Sequence, residues 1–435
     1  MGFFVYKMIT FQKKIMALAL PAMVENFLQM LMGFVDSYLV AQVGIVAVSG
    51  VSVANNIMAI YQALMIALGS AVASLIAKKL GQTDKEAVLQ TSWDSLLLTL
   101  VLTLVLGAYS IFAGRTTLSL LGTQDAVAQT GGNYLAIVGG GVVFLGLMTV
   151  LGNILRAQGR PKISMYVSLF SNFLNAVLSA LAVFVCHWGV LGVAWGTVLA
   201  RLLGTIILWH SSKLKLRDLL KSKLTNKELI NLALPASGER LMMRAGDVII
   251  VSLIVGLGTK AVAGNAIGET LTQFDYMPGM GVATATVILV AHSLGQKDYQ
   301  ALRKIVREAY WAASLLMLAV GGLVFLLGEQ LSSLFTSNAS VIVYSSIVIF
   351  YAFIGSLMTS GTLIYTAVWQ GLGQAKLPFY ATSLGMWIIR LGLGYLLVVI
   401  MGYGLAAVWI ATLADNAFRF AFLYLCYKRV IFLND

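Results

Sequence analysis

Residues 18–44, LALPAMVENFLQMLMGFVDSYLVAQVG, decide how the rest of the chain is read. The stretch is apolar over a length that crosses a bilayer, yet it carries Glu25, Asn26, Gln29 and Asp36. At about 100° per residue, Glu25, Gln29 and Asp36 fall within about 60° of one another, so they form one polar stripe on a helix whose other faces suit lipid. An ionised carboxylate near the bilayer centre costs at least roughly 2.5–3.5 kcal/mol on insertion scales, so Asp36 is expected to be either paired or titrating. Pro21 removes a backbone donor within the same span and gives the helix a place to bend. A buried acid on a bendable helix is a candidate working part; the competing reading is an acid with a purely structural partner.

The composition extends this reading to the whole chain. Hydrophobic residues make up 59% and charged residues 11% of 435 positions, and the mean hydropathy is +0.89. Those values exclude a water-soluble domain. Apolar segments recur twelve times, near 13–41, 47–78, 88–112, 130–155, 163–186, 189–210, 228–256, 262–292, 302–327, 339–367, 379–401 and 403–425. The basic residues of MGFFVYKMITFQKK run directly into the first span with no small-residue cleavage site, so this span is expected to be retained.

The net charge of +12 follows topology, with no nucleic-acid partner implied. Of 29 Lys and Arg, 22 fall at the termini, in alternate loops and in the stretch 213–227. Only Arg115 and Lys260 lie in the loops of the other side. That bias places both termini and the central basic stretch in the cytoplasm. Cys186 and Cys426 fall near opposite faces of the membrane, and His187, His210 and His292 are scattered. No zinc spacing, nucleophile elbow or phosphate loop is present, so neither a cofactor nor an enzymatic centre is expected.

The chain matches itself at one offset, 214 residues. LALPAMVE (18–25) returns as LALPASGE (232–239), LGQTD (80–84) as LGQKD (294–298), Gly159 and Lys162 as Gly373 and Lys376, and Trp195 as Trp409. Each copy holds six spans, so the second enters from the same side as the first and the halves are related by an axis along the membrane normal. This predicts an all-α polytopic membrane protein: an N-terminal six-helix lobe (1–210), a cytoplasmic basic linker (211–227) and a C-terminal six-helix lobe (228–435). The lobes are expected to form two pseudo-symmetric bundles around a central cleft that opens alternately to each side.

Positions the two halves do not share are candidates for chemistry. Asp36 corresponds to Ile250. In the second half, Glu239, Asp247, Glu269, Asp275 and Asp415 are balanced by Arg240, Arg244, Arg390 and Arg419, with Arg244–Asp247 and Asp415–Arg419 at helix-neighbour spacing. Glu239, Arg244, Asp247 and Glu269 are expected to form a C-lobe polar network, and Glu239, as the counterpart of Glu25, a scaffold acid. In the first half, Arg201 is the candidate counter-charge for the deep acids Glu25 and Asp36. On the fifth span Ser168, Asn172, Asn175 and Ser179 share one face. Two readings fit that face: it ties helices together, or Asn175 and Ser179, with Tyr134 and Thr197, surround Asp36. Asn55 and Gln62 on the second span either line a cavity or pack. Met30, Met32, Tyr61, Trp369 and Trp387 would suit an apolar lining for flat organic cations, or ordinary packing.

Taken together, LALP with Asp36 in the first helix, LGQTD, RAQGRPK (156–162), SNFLN (171–175), LALPASGERLMMRAGD (232–247) and LGQKD resemble the multidrug and toxic compound extrusion (MATE) family. The resemblance covers essentially the whole chain and is greatest to the bacterial DNA-damage-inducible F branch. It implies a V-shaped pair of six-helix bundles that exports cationic amphipathic compounds in exchange for protons or sodium ions. It also implies that Asp36 is the cation-coupling acid, that Gln29, Tyr134, Asn175 and Thr197 lie in its network, and that the first helix bends at Pro21. Some members carry a second carboxylate at the position of Ser179, which leaves both proton coupling and a modified sodium site at Asp36 open.

The expected function is therefore a cation-coupled antiporter in the cytoplasmic membrane of a prokaryote. It would work as a monomer, with organic cations, H+ or Na+ and the lipid bilayer as partners. Asp36, Asn175, Ser179, Thr197 and Tyr134 would couple the ion. Gln29, Glu25, Asn55, Gln62, Asn172, Met32 and Tyr61 would bind substrate. The alternative is a flippase for a lipid-linked oligosaccharide or peptidoglycan precursor, which would use Arg201, Arg240, Arg244 and Arg390 on a pyrophosphate.

Overall fold

A computed structural model describes residues 2–215, 217–218, 222 and 226–432, except for the side chains of 2–11 and 431–432. The described chain is all helical: α1 (Gly2–Ala41), α2 (Ile45–Gly81), α3 (Lys85–Leu120), α4 (Asp125–Val138), α5 (Val142–Ala157), α6 (Pro161–Phe184), α7 (Gly189–Ser212), α8 (Lys227–Val255), α9 (Thr259–Gly295), α10 (Tyr299–Leu326), α11 (Gly328–Ser333), α12 (Ala339–Gly371), α13 (Lys376–Leu384) and α14 (Gly404–Phe432). Among the described residues ten segments are long and apolar enough to cross a membrane, eleven when α4 and α5, bent by 44°, are taken as one span. α8 has 29 residues, ample length for a span. Its Glu239, Arg240, Arg244 and Asp247 keep its mean hydropathy low. Phe112, Phe173, Leu234 and Leu326 are exposed large apolar side chains, a surface suited to acyl chains.

Packing divides the chain into two units, Met1–Met23 with Leu234–Asp435, and Val24–Ala233. The division within α1 comes two residues after Pro21, and the one within α8 comes next to Pro235, the same position in the repeat. The first helix of each copy therefore changes unit beside its proline, where the backbone ladder lacks a donor. In the first unit, Ile15 and Ala19 of α1 join a core with Val282, Ala309, Val368 and Trp369. In the second, α2, α3, α4 and α7 enclose Ala54, Tyr61, Leu118, Leu135 and Val193.

Much of what the copies share is turn chemistry. α2 ends at Gly81, Thr83 takes φ 60° and Asp84 caps α3 by accepting from the Ala87 amide at 2.9 Å. α9 ends at Gly295, Lys297 takes φ 57° and Asp298 caps α10 through the Ala301 amide at 2.9 Å. Left-handed backbone at a non-glycine residue is uncommon, so the LGQ-x-D pattern encodes one tight joint used twice. Asp84→Ala and Asp298→Ala are each expected to cost about 1 kcal/mol, read as a lower thermal midpoint in detergent with transport retained.

Past α13 the helix widens into π-helical turns at Gly385–Leu393 and Leu396–Ile400. Glycine at 385 lets this backbone lie against Asp415 and Arg419 of α14, where a Cβ would collide with both. Such widened turns displace the side chains beyond them relative to a regular helix, and Arg390 lies in this stretch.

The central linker is anchored to the second unit. Asp94 of α3, almost fully buried, accepts from Ser222 at 2.7 Å and from Asn226 at 2.9 Å, while Glu228 pairs with Lys78 and Lys79. Residues 216, 219–221 and 223–225 of the expected linker lie outside the described set.

Candidate functional site

In the second unit, α1 brings Asp36 against α6. Asn175 directs its amide nitrogen at both carboxylate oxygens, each at 3.4 Å. The orientation is held from behind: the amide oxygen of Asn175 accepts from Ser179 at 3.1 Å and from Thr197 of α7 at 3.2 Å. The Thr197 hydroxyl also reaches the Val193 carbonyl at 3.0 Å, so its single proton is shared between two acceptors. Asp36 itself is half-buried, and Asn175, Ser179 and Thr197 are buried.

Tyr134 of α4, buried, and Arg201 of α7 lie in the neighbourhood of Asp36, where the Arg201 guanidinium is within electrostatic reach of the carboxyl group. Among the described residues no ion pair within 4 Å joins Asp36 to Arg201. The structure thus brings Asp36, Asn175, Ser179, Thr197 and Tyr134 together. An acid with one neutral donor and a nearby cation can exist as a carboxylate, or as a carboxylic acid once it gains a proton.

The residues expected to bind substrate do not form one group. Gln29, Asn55 and Gln62 are exposed, Met32 and Asn172 half-buried, and among the described residues no hydrogen bond joins them to Asp36. Two placements correct the sequence expectation. Tyr61 is buried, with its hydroxyl 2.9 Å from Ser110 of α3, so it packs helices together. Glu25 is 6% exposed and closed by an ion pair with Arg156 of α5 and a 3.2 Å bond from Ser164. Its partner was missed because Arg156 counts among the loop cations by position. Trp369, with its indole bonded to the Leu423 carbonyl at 3.1 Å, is likewise core.

The repeat offset contained the missed signal. Arg156 and Gln370 occupy equivalent positions, and Gln370 with Thr382 faces Glu239 at 3.4 Å, where Arg156 with Ser164 faces Glu25. The two glutamates hold the same place in their units, one in an ion pair and one hydrogen-bonded to neutral donors with Arg240 and Arg419 within electrostatic reach.

The C-lobe polar residues also regroup. Asp247 pairs with Arg390 at 3.2 Å, across to the π-helical stretch, and not with Arg244 three residues before it. Thr412 supports the same guanidinium at 3.0 Å. Asp415 and Arg419 form the expected helical pair at 2.9 Å. Glu269 lies within electrostatic reach of Arg390 and Asp247 and near Asn265, which accepts from the Trp409 indole at 3.0 Å. Asp275 stands outside this network: among the described residues it accepts from Ser356 at 3.3 Å, and its other oxygen is unpartnered. Arg390 is committed to a carboxylate, which removes one of the four arginines a pyrophosphate site would use.

Comparisons with known proteins agree with this architecture. The MatE family model matches residues 21–181 and 235–396, one match in each copy of the repeat. The "Probable multidrug resistance protein NorM" of Thermotoga maritima is 27% identical over 425 residues, covering 94% of this chain and 90% of that protein. The "Multidrug export protein MepA" of Staphylococcus saprophyticus is 23% identical over 372 residues, covering 84% and 82%. Among solved structures, a MATE protein in the straight conformation superposes with a TM-score of 0.90 at 22% identity, covering 97% of this chain and 96% of that one. A MOP-superfamily transporter from Pyrococcus furiosus gives 0.89 at 23% identity, with the same two coverages. With both copies of the repeat matched by one family model, this chain belongs to the MatE family of membrane transporters.

Proposed function

We propose that the protein exports cationic amphipathic compounds from the cytoplasm in exchange for protons, with Asp36 as the coupling acid. Relatives named for multidrug resistance and export support the substrate class. The observation that carries the coupling assignment is the Asn175 amide, which donates to Asp36 while its oxygen is held by Ser179 and Thr197.

Protonation gives one of the two Asp36 oxygens an O–H, which the amide nitrogen facing it cannot accept, while the other oxygen remains an acceptor. Turning the Asn175 amide over satisfies the new state, because its oxygen then accepts from Asp36 and its nitrogen donates to the two hydroxyls, each able to accept. The site therefore has two self-consistent hydrogen-bond patterns, one for each charge state. α1 carries the change toward Pro21, where it bends, and the lobes expose the binding region alternately to each side. A donor facing Asp36 suits a proton better than a sodium ion, which needs oxygen ligands. A first-helix acid with these neighbours is the ground for placing the chain nearest the DNA-damage-inducible F branch. The bias of Lys and Arg toward alternate loops supports a reading in which both termini lie on the cytoplasmic side of a prokaryotic plasma membrane.

The test is dye efflux from proteoliposomes, first under an imposed proton gradient and then under a sodium gradient. Efflux driven by protons alone is the expected result; efflux driven by sodium alone would transfer the role to that ion. Ser179→Ala with Thr197→Val releases the Asn175 amide, and is expected to slow proton-driven efflux roughly tenfold, the value of one hydrogen bond of about 1.4 kcal/mol.

A further inference from the structure

We propose that Asp275, at the junction of α9, α10 and α12 in the C-terminal unit, carries a second proton through the exchange cycle. This rests on the reading of the protein as a proton-driven exporter and adds a site which that reading does not use.

Asp275 is 5% exposed. One carboxylate oxygen accepts from Ser356 of α12 at 3.3 Å, and the other is buried without a hydrogen-bond partner among the described residues. Among those residues it forms no ion pair within 4 Å. The backbone of α10 lies directly on the carboxyl group: a Cβ added at Gly321 would come within 3.1 Å of its carbon and 3.2 and 3.3 Å of its oxygens. Glycine permits that approach. One turn away, Leu271 of α9 and Val324 of α10 join Ile349 of α12 in a buried apolar cluster. Across 317–324 of α10 and 349–360 of α12 the one titratable side chain is Tyr351, about 140° around its helix from Ser356. On α9 itself, Glu269 and Tyr276 lie within electrostatic reach of Arg390 and of Arg240, in other groups, and Glu329 of α11 is exposed.

The first copy of the repeat shows what has changed. At the 214-residue offset Asp275 corresponds to Tyr61 and Gly321 to Gly107. Tyr61 has its hydroxyl 2.9 Å from Ser110 of α3, and the counterpart of Ser110 is Val324. The second copy thus puts an acid where the first has a neutral hydroxyl, and an aliphatic side chain where the first has its partner. A tie between helices needs neither change. A group whose charge must be free to change needs an acid without a fixed partner.

Ser356 lets both charge states fit. Its single proton faces two acceptors, Asp275 and the Ala352 carbonyl at 3.1 Å. With Asp275 ionised, the hydroxyl donates to the carboxylate. With a proton taken from water onto Asp275, the new O–H donates to the Ser356 oxygen, and Ser356 turns its own proton to Ala352. A carboxylate with one neutral donor and no paired cation is costly in a dry interior, so the proton is held while α10 lies on the acid and returns to water when that packing opens. Pro278, three residues on, removes a backbone donor from α9 and gives it a place to bend. Asp36 remains the group without which exchange does not run; Asp275 sets how many protons accompany it.

The test uses the full-length protein in proteoliposomes holding a dye of single positive charge, under a fixed proton gradient and a varied membrane potential. Two protons exchanged for one such cation move one net charge, so the steady dye gradient of the wild type is expected to change about tenfold for each 59 mV applied. Asp275→Asn exchanges one proton for one cation, and its dye gradient is expected to ignore the potential. Infrared difference spectra of the purified protein provide a readout that needs no transport. A carboxylic-acid C=O band should vanish as pH rises and be missing from Asp275→Asn. Ser356→Ala keeps the acid and removes its hydroxyl partner, so it should shift that band and preserve its size, an assignment that does not depend on how well the Asn variant folds. Efflux driven by sodium alone would sink the exporter reading and leave the infrared band to decide Asp275. A wild-type dye gradient indifferent to potential, an acid band that persists through the titration, or an Asp275→Asn spectrum that retains it would overturn the second site alone.

Discussion

Asp36→Asn is expected to abolish gradient-driven efflux while leaving a folded protein that still binds substrate. The amide has nearly the volume of the carboxyl and can meet Asn175 through either of its own ends, so the contact between α1 and α6 survives. What it cannot do is change charge. The site is left in the neutral arrangement, and the step that distinguishes the two hydrogen-bond patterns is gone. Proteoliposomes loaded with dye and given a proton gradient provide the readout, with equilibrium dye binding as the control for folding. The loss should be complete, because among the described residues no second carboxylate joins the hydrogen-bonded group around Asp36, whose other members are Asn175, Ser179 and Thr197. Efflux by the variant at more than a small fraction of the wild-type rate would remove Asp36 from the coupling step.

Arg156→Ala should be the most damaging substitution for stability. It leaves Glu25, 6% exposed, with Ser164 as its hydrogen-bond donor in a low-dielectric interior. Removing one member of a buried ion pair costs about 3–5 kcal/mol, a large part of the stability of a whole domain. The cost lies in the stranded charge, so Glu25→Gln combined with Arg156→Ala should recover most of it. The equivalent position in the other unit provides an internal comparison: Glu239 takes its hydrogen bonds from the neutral Gln370 and Thr382 and, among the described residues, forms no ion pair within 4 Å, so Glu239→Gln should cost less than Arg156→Ala. Thermal unfolding of wild type and the three variants in one detergent measures all three statements. An Arg156→Ala midpoint equal to wild type would show that the pair contributes nothing.

The fold was legible because the signals that encode it are local or periodic. A bilayer admits only long apolar helices or closed barrels, so hydropathy alone marks where the chain crosses. The 214-residue echo carries the doubling, and joints such as LGQTD and LGQKD reduce to a left-handed residue and a capping aspartate a few positions apart. The group around Asp36 was partly legible for the same reason: Asn175 and Ser179 share a helix face by spacing, and only their meeting with α1 and α7 required knowledge beyond the segment.

Charge pairing was not legible in this way. Arg244 and Asp247 are neighbours on one helix, yet Asp247 takes Arg390, 143 positions away, because the π-helical stretch brings that guanidinium to it. Glu25 takes Arg156, 131 positions away, and Tyr61 turns its hydroxyl into the packing against α3. By itself the sequence determined that the protein spans a membrane, that it is built from two copies of one unit, and that a deep acid lies on its first helix. Only the tertiary structure decided which acids are neutralised and which are left to neutral donors, since Coulomb energy in a dry interior depends on ångström separations between helices that are distant in the chain.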